Sequence, residues 1–301
     1  MSIRHTMNAE PVPETAPDIS MTAFAFVQEL AAELSKGKVD LPSLPDVAIR
    51  VRNVLADEDS TLDQVVRVAG SDPVLAASLL RMANSAALNT SGRPITELRT
   101  AINRIGYNIV RSAAISLAMS QLRTSEGLRA VRPQLEALWE ESTHVAAIAF
   151  VLAKRFTARN ADEALVTGLL YNVGKIYITA RMAQHPELFG DAENEQAIMR
   201  DWHANIGAAI LENWGLPEEV CEAVRDHEDI ARTHRGVADL TDVVTVSVIL
   251  AQTVSQPSTQ PPNFLDLKPF RMLGLDDSKH QTVMQEMEVE VRALRQTLNG
   301  N

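Results

Sequence analysis

The sequence predicts an all-α protein of two packed helical bundles, and three observations carry that prediction. Apolar residues recur at the three- and four-residue spacing of amphipathic helices through most of the 301 residues. Caps, prolines and glycines stand where those runs begin and end. No stretch shows convincing period-two alternation, and no Asn-Gly turn joins two strand-like runs. The chain divides into a disordered leader (1–20), an N-terminal helical lobe (21–132) and a second helical lobe (133–255). A Pro-rich connector (256–275) and a C-terminal helix (276–301) complete it.

The elements follow in order. Residues 1–20 hold Pro11, Pro13 and Pro17 among Glu, Thr and Ser, a composition that buries little apolar surface. Phe24, Val27, Leu30, Ala31 and Leu34 mark a first helix. Leu41-Pro42-Ser43-Leu44-Pro45-Asp46 is a rigid connector ending in a cap, and Ser60-Thr61-Leu62-Asp63 reads as a capping box before Val65, Val66 and Val68. Asp72-Pro73 joins a cap to a proline-tolerant first turn and launches Val74–Ala83. Leu98–Ile105 is helical and stops at Gly106. Pro133 opens a long amphipathic run through Leu135, Leu138, Val145, Leu152 and Phe156. Asp162 caps a helix that carries Tyr171-Asn172, and residues 193–214 form another, ended by Gly215. Val243–Val254 is apolar enough to be buried, and Val283, Met287, Val291, Leu294 and Leu298 form one stripe on the last helix.

Composition narrows the function. Hydrophobic residues make up 46% and charged residues 22%, as in soluble globular proteins. No apolar run approaches the ~20 residues that span a bilayer, and the N-terminus lacks the apolar core of a secretory signal. Cys221 is the single cysteine, which excludes an internal disulfide and fits a reducing cytoplasm. A net charge of −11 disfavours general nucleic-acid binding. The segment Arg81–Arg132 is the exception, with eight arginines against Glu97 and Glu126. Those arginines serve either as ordinary surface pairs or as a cationic face for an acidic partner or phosphate ligand. No phosphate-cradling Gly-rich loop, Gly-x-Ser-x-Gly elbow or cysteine pair for zinc is present.

Two sets of residues carry a family resemblance. The first is Leu41-Pro42-Ser43-Leu44-Pro45, Asp72-Pro73-Val74-Leu75, Leu80-Arg81-Met82-Ala83-Asn84-Ser85-Ala86, and Ala101-Ile102-Asn103-Arg104-Ile105-Gly106. The second is His144, Tyr171-Asn172, His203, His227-Glu228 and Gln252. Together, over roughly residues 38–255, they resemble the HDOD family, non-hydrolytic relatives of the HD-domain phosphohydrolases found in bacterial signalling proteins. The resemblance implies that the second lobe is a degenerate HD-like unit. Where catalytic relatives carry an adjacent His-Asp pair, this chain carries Tyr171-Asn172; Glu228 stands where a second histidine is expected, and Gln252 where an aspartate is.

The chemistry of those replacements points away from catalysis. A divalent cation needs ligands that are anionic or basic at neutral pH, which an imidazole beside a carboxylate supplies. A phenol, with an ordinary pKa near ~10, and a neutral amide supply neither well. His144, His203 and His227 could form a three-imidazole zinc site, and Glu228 beside His227 could add a ligand. Lone histidines on amphipathic helices are more often hydrogen-bonded structural residues. Arg81 and Asn84 read as internal ties between helices, and Cys221 as an inert thiol. The expectation is a cytoplasmic, non-enzymatic signalling module with no catalytic residue, metal or cofactor. It works in trans on other signalling proteins, with its C-terminal stripe either folding back or forming a homodimer. The alternatives are a metal-dependent phosphohydrolase with altered ligands and a cyclic-dinucleotide-sensing regulator.

Overall fold

The computed structural model describes residues 21–35, 46–57, 59–84, 93–122, 125–183, 192–255, 267–275, 287–292 and 295. The helices are α1 (Met21–Ser35), α2 (Asp46–Ala56), α3 (Leu62–Gly70), α4 (Pro73–Ala83), α5 (Leu98–Leu122), α6 (Arg132–Phe156), α7 (Ala161–Leu170), α8 (Val173–Met182), α9 (Ala192–Asn213), α10 (Glu218–Asp226), α11 (Leu240–Ser255) and α12 (Lys268–Met272). A 3-10 turn, Glu126–Val131, leads into α6, and residues 287–292 are helical. No strand occurs among the described residues, so the fold class is all-α as the periodicity indicated. The leader 1–20, the connector 41–45, Ser85, and most of 256–275 and 276–301 lie outside the described residues.

Local chemistry accounts for most helix ends, with three differences from the sequence reading. The α3 capping box sits one residue later than Ser60–Asp63. Thr61 accepts from the Gln64 backbone, and the Gln64 side chain accepts from the Thr61 N–H at 2.6 Å. The α7 cap is Asn160, whose Oδ1 accepts from Asp162 and Glu163, while Asp162 falls inside the first turn. Tyr171 and Asn172 stand in the turn between α7 and α8 and not within a helix. Asp72 caps α4 through the N–H groups of Val74 and Leu75, with Pro73 in the first turn. Asn84 uses both ends of its amide on the Ile95 backbone, accepting and donating at 2.7 Å, and so ties α4 to the approach of α5. At Gly106 the backbone takes φ 79° and ψ 163°, breaking α5 into two helical stretches. That left-handed φ suits a residue without Cβ.

The early helices α2 to α5 pack on one another, and α6 to α11 form a second set through the pairs α6–α7, α8–α9, α9–α10, α10–α11 and α6–α11. Helix α5 touches α7 and α8, while α1 crosses the sequence to lie on α9. Polar bonds also tie α1 to α8. Arg181 of α8 pairs with Glu29 and Glu33 at 3.0 and 2.6 Å, and the buried Tyr177 hydroxyl donates to Glu33 at 2.7 Å. Arg111 of α5 joins the two sets: its guanidinium donates to the Gly215 carbonyl after α9 and to the Leu55 carbonyl of α2 at 3.0 Å. Arg99 of the same basic segment pairs with Asp63, so part of that segment is spent inside the fold.

The C-terminal stripe folds back at its described positions. Met287 and Val291 are buried in the common core, and Glu290 pairs with Lys154 and Arg155 of α6 at 2.9 and 3.1 Å. No helix among the described residues is long and apolar enough to cross a membrane.

Arg111→Leu removes the carbonyl tie from α5 to the second helix set at Gly215 and the tie to α2 at Leu55, and strands two backbone acceptors. It should lower stability by about 2 kcal/mol, read as a reduced urea midpoint with the helical signal of the folded state unchanged.

Candidate functional site

Close helix packing assembles the site. The N-terminus of α8 meets the middle of α9 at Gly174, where an added Cβ would collide with the His203 carbonyl and press on the Gly207 backbone. That approach places the turn holding Tyr171 and Asn172 beside His203. His227 follows α10, and Glu228 follows it. Tyr171, Asn172 and His203 are fully buried and His227 nearly so, whereas half of the Glu228 side chain is exposed.

Both imidazoles are held the same way. His203 Nδ1–H donates to the Met199 carbonyl at 2.6 Å, and His227 Nδ1–H to the Val224 carbonyl at 2.8 Å. A carbonyl can only accept, so Nε2 of each ring carries the free lone pair. Neither buried Nε2 has a hydrogen-bond partner. The rings meet edge to face with centroids 5.5 Å apart, and the Tyr171 ring meets His227 at 5.4 Å. Glu228 Oε1 stands 3.4 Å from His203 Nε2 and 4.0 Å from His227 Nε2. Burial holds both imidazoles neutral, pushing each down to about 4, with the Lys175 ammonium adding to the depression.

The replaced pair behaves differently. Burial, reinforced by Glu141, pushes the Tyr171 hydroxyl well above its ordinary range, so a phenolate ligand is out of reach near neutrality. That hydroxyl makes no well-formed hydrogen bond. Asn172 Nδ2 donates to Glu141 Oε2 at 3.3 Å, leaving Oδ1 buried and unpartnered. The pocket is thus filled by side-chain bulk with a single polar tie.

The structure divides the residues singled out in the sequence. His203, His227 and Glu228 converge, their ligand atoms all within 4.8 Å of one another. His144 is not among them, so the three-imidazole arrangement does not form. His144 and the exposed Gln252 line a separate cavity of about 530 Å³ with Ala137, Glu140, Glu141, Ala251 and Arg295. Burial and then Arg295 lower the His144 pKa. Glu141 links the two places, bonding Asn172 and lining the cavity. Sequence reasoning missed Glu141 and Arg295. Glu141 lies three residues before His144, on the same helical face, which is the signal that could have found it. Asp72, Pro73, Asn84 and Gly106 shape α4 and α5, Arg81 is exposed there, and Cys221 is a buried thiol pushed up to about 11.

The donor set fits one metal ion and no more. Two buried lone pairs and a carboxylate can hold a single cation, with both rings oriented through their second nitrogens as metal-bound histidines usually are. Tyr171 and Asn172 contribute no anion to bridge or hold a second ion.

A family comparison decides the lineage: the HDOD domain model matches residues 41–230. The chain belongs to the HDOD family. Three relatives are similar over most of this chain. An uncharacterized protein of Treponema pallidum (strain Nichols) is 26% identical over 219 residues, 67% of this chain, and the match spans 40% of that longer protein. An HDOD domain protein of unknown function from Geobacter sulfurreducens is 25% identical, with a TM-score of 0.59 over 90% of this chain and 97% of that one. A candidate metal-dependent phosphohydrolase from Shewanella amazonensis SB2B shares the fold, at 24% identity and a TM-score of 0.70, over 92% of this HDOD chain and 99% of its own.

Two outcomes follow for the site. Between about pH 6.5 and 4 the unfolded chain takes up protons that the buried imidazoles refuse, so acid in that window lowers stability. In chelator-treated protein, the stability gap between wild type and His227→Gln should shrink as pH falls from 7 to 4.5; a constant gap would contradict the neutral-ring assignment. Gly174→Ala forces α8 away from α9 and should cost roughly 1–3 kcal/mol by denaturant titration.

Proposed function

We propose that this HDOD protein is a non-enzymatic, cytoplasmic signalling module that regulates other proteins through direct contact. The observation that carries the reading is the buried pair Tyr171 and Asn172, fully enclosed and without anionic character, at the positions the family resemblance matches to a His-Asp metal anchor. Hydrolysis of a phosphoester requires a polarising cation with an activated water. A phenol held protonated and an amide committed to Glu141 assist neither. Without chemistry to perform, a helical surface of this size serves by being recognised.

The His203–His227–Glu228 cluster favours a second reading, a phosphohydrolase with altered ligands. Activity separates the two. Protein incubated with Mn²⁺, Fe²⁺ or Zn²⁺ and assayed on an aryl phosphodiester and a cyclic dinucleotide should show turnover equal to that of His203→Ala. Turnover lost only in the variant would establish the enzyme. The contact role is checked by cross-linking in the native cell: reproducible links to a second signalling protein support it, and links confined to the chain itself contradict it.

A further inference from the structure

Helix α5 breaks at Gly106, and the break leaves a hollow on the joint between the two helix sets. The backbone there turns to φ 79°, and a Cβ built at Gly106 would meet nothing within 4 Å, so no neighbour fills the bend. A cavity of about 280 Å³ lies at this place, walled by α5, by the start of α7 and by the turn from α9 into α10. Its floor is apolar: Ile105, Ile109, Val166, Leu216 and Val220 are all buried. Tyr107 stands at the mouth with 43% of its surface exposed. The Ser112 hydroxyl, also on the wall, is engaged by the Asn108 carbonyl at 2.9 Å.

Glu163 is the charged side chain on that lining. Among the described residues its carboxylate has no hydrogen bond and no ion pair. Arg159 acts on it from a distance but pairs with Glu219 at 3.4 Å. Burial, and then the Glu219 charge, push the Glu163 carboxyl above its ordinary range. The first turn of α7 gives no relief, because the Asp162 and Glu163 N–H groups both donate to Asn160 Oδ1.

We propose that this cavity binds a small organic cation, an ammonium or guanidinium carried on a short hydrocarbon chain or ring. The hydrocarbon lies on the Ile, Leu and Val floor, which removes apolar surface from water. The cation meets Glu163 at a half-buried position, where charges attract more strongly than in open water. The exposed Tyr107 ring offers an aromatic face to the same charge. Glu163 and Glu219 repel an anion, a neutral ligand leaves Glu163 unanswered, and the net charge of −11 draws cations in. Arg111 and Arg159 oppose a cation, but both are engaged, Arg111 on the Gly215 and Leu55 carbonyls and Arg159 on Glu219. The volume suits one short molecule. An occupant here bridges α5 and α7, and none of His203, His227 or Glu228 lines the cavity. The site goes beyond the contact role and stands without it.

Methyl-labelled Ile, Leu and Val in the full chain provide the test, by NMR titration. Phenethylamine should shift the signals of the five floor residues and saturate with a Kd of about 1 mM or below. Phenethyl alcohol should bind about fivefold more weakly, the upper range for a partly exposed ion pair, and hydrocinnamate more weakly still. Glu163→Gln, at a half-buried position on the first turn of α7, should leave the other methyl signals in place, so the fold is checked in the same spectra. In that variant the amine and the alcohol should bind alike. No saturable shift at about ten times the stated Kd overturns the proposal. So does an amine preference that survives in Glu163→Gln, or shifts confined to methyl groups outside the cavity. A capped peptide with one central lysine that binds about tenfold more tightly than phenethylamine would assign the pocket to a partner's side chain and overturn the small-molecule reading.

Discussion

The contact of α8 against α9 at Gly174 is the constraint from which the rest of the site follows. Without a Cβ at that position, the α8 N-terminus reaches the His203 carbonyl, bringing the Tyr171–Asn172 turn over the imidazoles. Burial there removes water from both rings, and the Met199 and Val224 carbonyls become their only partners. Neutral imidazoles with outward lone pairs are thus a consequence of packing. What occupies the neighbouring pair position then decides the chemistry. A His-Asp pair would complete a multi-ligand centre, whereas Tyr171 and Asn172 close the space with bulk.

Much of the fold was legible because its signals are local. Asp72-Pro73, Gly106 and the long run from Pro133 mark helix ends through capping, backbone freedom and ring geometry, none of which needs a partner element. The small errors share one cause. Thr61 and Asn160 displaced Ser60 and Asp162 as caps by one and two residues, and neighbouring polar residues offer the backbone nearly equivalent acceptors. The docking of α1 on the second helix set was not legible: Glu29 and Glu33 meet Arg181 and Tyr177 of α8 across some 150 residues.

The site was half legible for the same reason. The family resemblance, with its spacings, grouped His203, His227 and Glu228, and the structure brings them together. The separation of His144 from that cluster, the tie from Asn172 to Glu141 and the arrival of Arg295 in the outer cavity depend on how helices cross. The sequence reading set the missing pair against a three-imidazole zinc site with Glu228 as a further ligand; which of those residues meet depends on how the helices cross.

HDOD membership and the buried Tyr171–Asn172 pair are the two facts on which the proposed non-enzymatic role rests. On this reading residues 171 and 172 limit how many ions the pocket holds. The direct measurement is metal content, by elemental analysis, of wild type beside the Tyr171→His/Asn172→Asp double variant, both loaded and desalted identically. The account predicts no more than one ion per wild-type chain and an additional equivalent in the double variant. Two ions in the wild type, or no gain on restoring the pair, would contradict it.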